Sequence, residues 1–245
     1  MPPKPTVRSE TVDPTLQAHR IPNLPPSFYY IPNFITADEE ASIRNKLPPN
    51  RWVTLAHRRL QAYPSTLVPA KTSTAATTSV LPAAPLPTWL TDPIVPRLAA
   101  LGVFAGTLHG APNHVLVNEY RVDEGIMKHQ DGDAYESVVA TVSLGGFACL
   151  DVEALPSSSS SCVDDGHGAE AEAGEGEGEG EGQGEGEVSY ALPTRLILEP
   201  QSLLITTGAA YETLVHGIEA ECVHEGLREQ TVANWGLLSG GCREH

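Results

Sequence analysis

From about residue 114 the apolar residues of this chain recur at every second position, in short runs separated by turn formers. That pattern limits the fold more than any other feature. "NHVLVNEY" (113–120) puts Leu116, Asn118 and Tyr120 on one face of a strand, with Val115, Val117 and Glu119 on the other. "SVVATVSLGG" and "ACLDVEAL" read as further strands, and "RLILEPQSLLITTG" as the two strands of a hairpin divided at Glu199-Pro200-Gln201. The first half reads differently. After a strand in "FYYI", Thr36 is an N-cap with Glu39 three residues on, a capping box that starts a helix running to about Leu47. "RWVTLAHRRLQAY" predicts a strand or hairpin, and "TWLTDPIVPRLAALGVF" a helix with Val95, Leu98 and Leu101 at helical spacing. Helices first and short strands afterwards predict an α+β, mainly β protein, an antiparallel sheet packed by N-terminal helices.

One segment interrupts the strands. Residues 156–187 are rich in Ser, then alternate Gly with Glu, and contain ten acids and no Lys or Arg. Such a stretch repels itself and has little to bury, so it is expected to be a disordered insertion between two strands. Its even spacing never yields G-x-G-x-x-G, so a phosphate loop is not implied. The insertion also distorts the charge: the formal net of −16 falls to −6 without it, 21 acids against 15 bases. No broad basic footprint for duplex nucleic acid remains. The cysteines (Cys149, Cys162, Cys222, Cys242) form no C-x-x-C pair and suggest an intracellular, reduced protein. The N-terminus lacks an apolar core of a signal peptide and no run reaches membrane-spanning length, so a soluble monomer of the nucleus or cytoplasm is expected. The expected organisation is a disordered lead (1–27), N-terminal helices and substrate-side lid elements (28–110), a β core (111–238) interrupted at 156–187, and a tail (239–245). The lid expectation rests on the Pro/Ala/Thr-rich connection after Tyr63.

Chemistry concentrates in "EGIMKHQDGDAYE", where His129 has Asp131 two residues on. The pair could be two ligands of a metal or a polar turn through Asp131-Gly132-Asp133. A third ligand is needed. His216, in "AAYETLVHGIEA", lies 85 residues beyond Asp131, or 53 once the 32 residues of the insertion are set aside, a normal distance across a few strands. His224, in "CVHEGLR", competes for that role. Two imidazoles and one carboxylate on one face of a metal leave three open positions, as in non-haem Fe(II) oxygenases.

"NHVLVNEYRVDEGIMKHQDGDAYESVVATVSLG" followed by "LILEPQSLLITTGAAYETLVHGI" resembles the AlkB-like Fe(II)/2-oxoglutarate dioxygenases, most of all the subgroup called AlkB homologue six. "FYYIPNFITADEEASI", "RWVTLAHRRLQAYPS" and "PLPTWL" fall where that subgroup has its N-terminal elements, so the likeness covers about residues 28–238. The resemblance implies a double-stranded β-helix, or jelly roll, in which His129, Asp131 and His216 hold Fe(II), and Asn118 and Tyr120 face 2-oxoglutarate. It also implies O2 as co-substrate, decarboxylation of 2-oxoglutarate to succinate, and hydroxylation of a substrate C–H. An N-methyl carbon so oxidised leaves as formaldehyde. The implied substrate is a nucleic acid or nucleotide-like molecule, and His57, Arg58 and Arg59 form a compact basic cluster that could contact a phosphate or base.

The resemblance has one gap. The family's last strand carries R-x-S-x-T-x-R, whose first Arg binds the distal carboxylate of 2-oxoglutarate. "GLREQTVANWGLLSGGCREH" contains no such motif: Asn234 stands where the second Arg would follow Arg228, and "TVANWGLL" resembles the preceding strand. The jelly roll is therefore expected to lack its last strand, and the arginine roles are carried onto neither Arg228 nor Arg243. The alternative reading is a non-catalytic metal-binding or interaction protein that lacks the co-substrate arginine.

Overall fold

The computed structural model describes residues 14–65, 85–132, 134–155, 191–220 and 227–239. The insertion at 156–187, most of the Pro/Ala/Thr connection, Asp133, His224, Arg243 and three of the four cysteines lie outside these residues. The described chain begins with a short helix, Pro14–Gln17 (α1), inside the lead expected to be disordered. That expectation fails for residues 14–27. Leu16, Ile21 and Leu24 are buried, and Ile21 N–H donates to Phe28 O while Tyr30 N–H donates to His19 O. Three apolar side chains spaced among prolines and polar residues anchor the segment, despite its disorder-like composition.

The strand Phe28–Ile31 (β1) and the helix Ala37–Lys46 (α2) form where expected. Thr36 Oγ1 accepts from Glu39 N–H at 3.2 Å, and the Glu39 carboxylate accepts from Thr36 N–H at 2.8 Å. Both arms of the capping box are thus made. Val53–Thr54 (β2) and Arg59–Tyr63 (β3) form the hairpin. The single helix predicted after Thr88 is two, Thr88–Thr91 (α3) and Ile94–Ala100 (α4). Pro93 has no N–H to continue the first helix, so the chain breaks there and restarts.

Seven strands and a helix follow: Val115–Glu119 (β4), Ile126–His129 (β5), Val138–Val142 (β6), Ala148–Ala154 (β7), Thr194–Leu198 (β8), Leu203–Thr207 (β9), the helix Gly208–Thr213 (α5), and Leu214–Ile218 (β10). They build three antiparallel sheets, in the orders β1-β9-β6, β5-β10-β7-β8 and β2-β3-β4. Successive segments pass between the first two sheets, as in a jelly roll. The hairpin expected at Glu199-Pro200-Gln201 is therefore a crossing: β8 pairs with β7, while β9 pairs with β1 and β6. Gln201 adopts φ 67°, and its N–H donates to Ser143 O, just past β6. The turn is docked on the other sheet, and that prevents it from folding back on β8.

Side-chain alternation divides the core in two. Phe28, Tyr30 and Leu204 point toward Leu150, Val152, Leu196 and Leu198 of the facing sheet. Tyr29, Leu203 and Ile205 point the other way, onto Ile43 of α2 and Leu98 of α4. β1 and β9 are consequently buried on both faces, in a helix–sheet–sheet arrangement. Beyond β10, "TVANWGLL" is not a strand. Val232 makes one parallel bridge to Arg195, and a 3-10 turn follows at Trp235–Leu237. The reason is Asn234, whose buried side-chain amide donates to Ile197 O at 2.8 Å and accepts from Ile197 N–H at 2.9 Å. One side chain occupies the edge of β8 that a strand would need. Among the described residues no strand follows β10, and β4 and β6 each pair along one side only.

Candidate metal centre

His129 and His216 are directly opposite in the β5–β10 pair, with ring centroids 4.7 Å apart. Two residues past His129 the extended chain returns to the same face, so Asp131 joins them there. The three offer ligand atoms that all lie within 4.8 Å of one another, and His216 Nε2 stands 4.0 Å from Asp131 Oδ1. Of the sequence candidates, the structure brings these three together. Asp131 and His216 are each about 30% exposed, open to a ligand yet held in place.

The local backbone explains the convergence. The register slips between His216 and Ile218, a bulge that re-aims the strand beside the site. Two glycines let the strands approach: a Cβ on Gly125 would sit 2.2 Å from Ile218 O, and one on Gly217 would sit 2.9 Å from both Ile126 O and Lys128 N. Glycine within a strand signals such an approach in sequence, and Gly217 in β10 was readable on that ground. His129 Nδ1 lies 2.8 Å from Met127 O. A proton on Nδ1 donates to that carbonyl and leaves Nε2 free for a metal. Burial pushes His216 below the ordinary imidazole range; the Asp131 carboxylate opposes the shift and His129 adds to it. The neutral ring this favours is the metal-binding form.

A cleft of about 330 Å³ opens on Asp131 and is lined by Gln130, Tyr135, Ser137, Tyr211 and Glu212. Its walls are cross-tied: Gln130 Nε2 donates to Glu212 O, Ser137 Oγ to Glu212 Oε1, and Tyr211 O–H to Gly132 O. Sequence reasoning missed these residues, because nothing in their spacing links α5 to the loop after β5. A larger cleft of about 430 Å³, beside α3 and α4, contains none of the candidate residues.

Asn118 and Tyr120 belong to a different sheet, where Asn118 is opposite Leu60 on β3. Among the described residues no hydrogen bond joins them to the three ligands. Tyr120 is pushed above the ordinary phenol range by burial, which the nearby positive charge of Arg58 partly offsets. The basic cluster is divided by strand alternation. Arg59 Nη2 donates to Glu119 Oε2 at 2.7 Å, and its guanidinium stacks over Trp52 at 4.4 Å. Arg59 Nε lies 2.7 Å from the other Glu119 oxygen, an ion contact without an aligned hydrogen bond. His57 is exposed, and its carbonyl accepts from Gly125 N–H, tying the β2–β3 hairpin to the start of β5.

Two imidazoles and a carboxylate converging beside an open cleft suit a six-coordinate Fe(II) with three remaining positions. The chain is also similar to known proteins. The chain is 37% identical over 139 residues to "Probable RNA/DNA demethylase ALKBH6" of Danio rerio, covering 56% of this chain and 54% of that protein. It is 27% identical over 127 residues to "Uncharacterized protein L905" of Acanthamoeba polyphaga mimivirus, covering 48% and 52%. The chain thus spans about half the length of the curated relatives it matches. A solved chain described as "The structure of OsALKBH1" overlaps 86% of this chain and 91% of its own length, with a TM-score of 0.48 and 16% identity. The family model for the 2OG-Fe(II) oxygenase superfamily matches residues 27–225, which include the three converging ligands and Asn118 and Tyr120. The chain belongs to the 2OG-Fe(II) oxygenase superfamily.

Proposed function

We propose that this protein is an Fe(II)- and 2-oxoglutarate-dependent dioxygenase that oxidises N-methyl groups on nucleic acid or a nucleotide-like substrate. The observation that carries the reading is the convergence of His129, Asp131 and His216, with Asp131 on the cleft that Tyr135 and Tyr211 also line. Bound iron with 2-oxoglutarate and O2 would supply the oxidising power for C–H hydroxylation. The chain's own residues do the rest. His129 presents Nε2 because Met127 O engages its other nitrogen. Burial disfavours the protonated form of His216. Asp131 contributes the anionic ligand. Asn118 and Tyr120 present an amide and a phenol, both able to donate to a carboxylate of the co-substrate. Tyr135 and Tyr211 give the cleft aromatic walls suited to a planar base. Of the basic cluster, exposed His57 is best placed for a substrate phosphate, since Glu119 already meets the charge of Arg59. The likeness to a protein called a probable RNA/DNA demethylase supports this choice of substrate.

The test is succinate and formaldehyde release by the Fe(II)-loaded protein, supplied with 2-oxoglutarate and either N-methylated or unmethylated oligonucleotides. Methyl-dependent release of both products is expected. Tight iron binding without succinate release would favour a non-catalytic metal-binding protein.

A further inference from the structure

Three hydroxyls line the cleft that opens on Asp131, those of Tyr135, Ser137 and Tyr211. Each has one proton, and each gives it to the protein. Ser137 Oγ donates to Glu212 Oε1 at 2.9 Å, and Tyr211 O–H donates to Gly132 O at 3.2 Å. The Tyr135 hydroxyl lies 3.2 Å from His114 Nδ1, a contact in which either group could be the donor. The other end of His114 decides. Its Nε2 lies 2.9 Å from Ser65 O, a carbonyl that can only accept. A neutral imidazole carries one proton, here on Nε2, so Nδ1 must accept from Tyr135. Asp131 and Glu212 are carboxylates and accept only. Among the lining side chains, Gln130 alone keeps a proton to offer, since its amide gives one N–H to Glu212 O and retains the other.

We propose that this cleft selects a substrate base by its hydrogen-bond donors, and that His114 is the positioning residue that sets this polarity. The base it takes has an exocyclic N–H, and an isostere with oxygen at that atom is refused. This rests on the nucleic-acid reading above and deepens it. His114 is not among the lining residues and acts through Tyr135, with ring centroids 5.7 Å apart. The lock spans three elements: Ser65 follows β3, His114 precedes β4, and Tyr135 stands just before β6. An amino group meets lone pairs in such a cleft. An ether or keto oxygen opposes them with no proton to share, and both sides lose the water that satisfied them. The Glu212 carboxylate also repels a phosphate, so the base enters and the backbone stays outside.

Two single-stranded oligonucleotides of one sequence make the test, with N6-methyladenine or 6-methoxypurine at one position. The bases share shape and neutral charge, and differ in N–H against O at the exocyclic atom. Fluorescence anisotropy with the Ni(II)-loaded protein, which is catalytically silent, is read at about pH 8, above the ordinary imidazole range. Wild type should prefer the N6-methyladenine strand by about fivefold or more, the cost of facing two acceptors. His114→Phe keeps a ring beside Tyr135 and releases its proton. Affinity for the N6-methyladenine strand should then fall while affinity for the 6-methoxypurine strand rises, and the preference should vanish. In a Tyr135→Phe background the same substitution should change neither affinity, whereas a merely structural His114 would move both. Ni(II) uptake reports folding, and His114→Leu gives the same test if His114→Phe fails to load. Equal wild-type affinity for the two strands overturns the proposal and leaves the nucleic-acid reading standing, as does a His114 variant that weakens both strands alike. If Ni(II)-loaded wild type binds neither strand, the nucleic-acid reading falls and the proposal falls with it.

Discussion

His129 and Asp131 stand two residues apart on one strand face, and His216 meets them from the neighbouring strand, so each side chain supplies a ligand the others cannot replace. Alanine at any of the three should lower Fe(II) affinity by more than ~100-fold, beyond the tenfold to hundredfold usual for residues that merely orient a ligand. Anaerobic metal titration of the three variants checks this, and unchanged affinity in His216→Ala would turn attention to His224. The protonation of His216 makes a second prediction. Burial holds its folded pKa below the unfolded value of about 6.5. As pH falls through that value the unfolded chain binds a proton that the folded chain resists. The metal-free protein should therefore lose stability between about pH 7 and 5, with no contribution from this group above that range. Metal release should follow the same direction, because a protonated imidazole cannot ligate. Melting temperatures of metal-free wild type and His216→Asn across this range should differ in slope, with the variant flatter.

At the scale of elements, the β5–β10 pair depends on absent side chains. Gly217→Ala would bring a Cβ to 2.9 Å from Ile126 O and Lys128 N, backbone atoms that cannot swing aside. The strands must part, at a cost of about 1–3 kcal/mol if the strain resembles core overpacking. Metal affinity should fall by at least tenfold, since the same pair aligns His129 with His216. Gly146→Ala, whose Cβ would meet nothing within 4 Å, is the matched control and should be near neutral in both urea unfolding and metal titration. These elements also indicate what could be read in sequence. The capping box of α2 and the period-two strands were legible because their signals are local. The ligand triad was legible only through its likeness to a known pattern, since spacing alone left His224 open. The crossing at Glu199-Pro200-Gln201 was not legible, because the anchor that opens the hairpin is Ser143, far away in sequence. Nor was the fate of "TVANWGLL", where a single buried amide on Asn234 takes the edge of β8. Composition misjudged residues 14–27 for a related reason: three buried side chains count for more than many exposed ones.

At the scale of the whole molecule, the 32-residue Ser/Gly/Glu insertion at 156–187 falls between two strands that are already neighbours. β7 and β8 pair from Ala148 opposite Leu198 to Val152 opposite Thr194, so the chain leaves and re-enters the sheet at one end of a single antiparallel ladder. A turn of about four residues could close that gap. Loop closure costs only about 0.6 kcal/mol per doubling of length, so shortening the 39-residue connection between Ala154 and Thr194 to about 11 residues should return ~1 kcal/mol. Replacing residues 156–187 with a short turn should accordingly leave the melting temperature unchanged or raise it by a few degrees. Metal affinity should not move, because the ligands come from β5, the loop after it, and β10, and β7 stays paired to β10 from Leu214 opposite Ala154 to Gly217 opposite Asp151. Formal charge would drop from −16 to −6, which separates two possible effects of the deletion. A gain in oligonucleotide binding that disappears at high salt would be the long-range consequence of removing ten acids. A fall in melting temperature that persists at high salt would instead mean that the insertion packs against the sheet, and would refute its reading as a passive connection between β7 and β8.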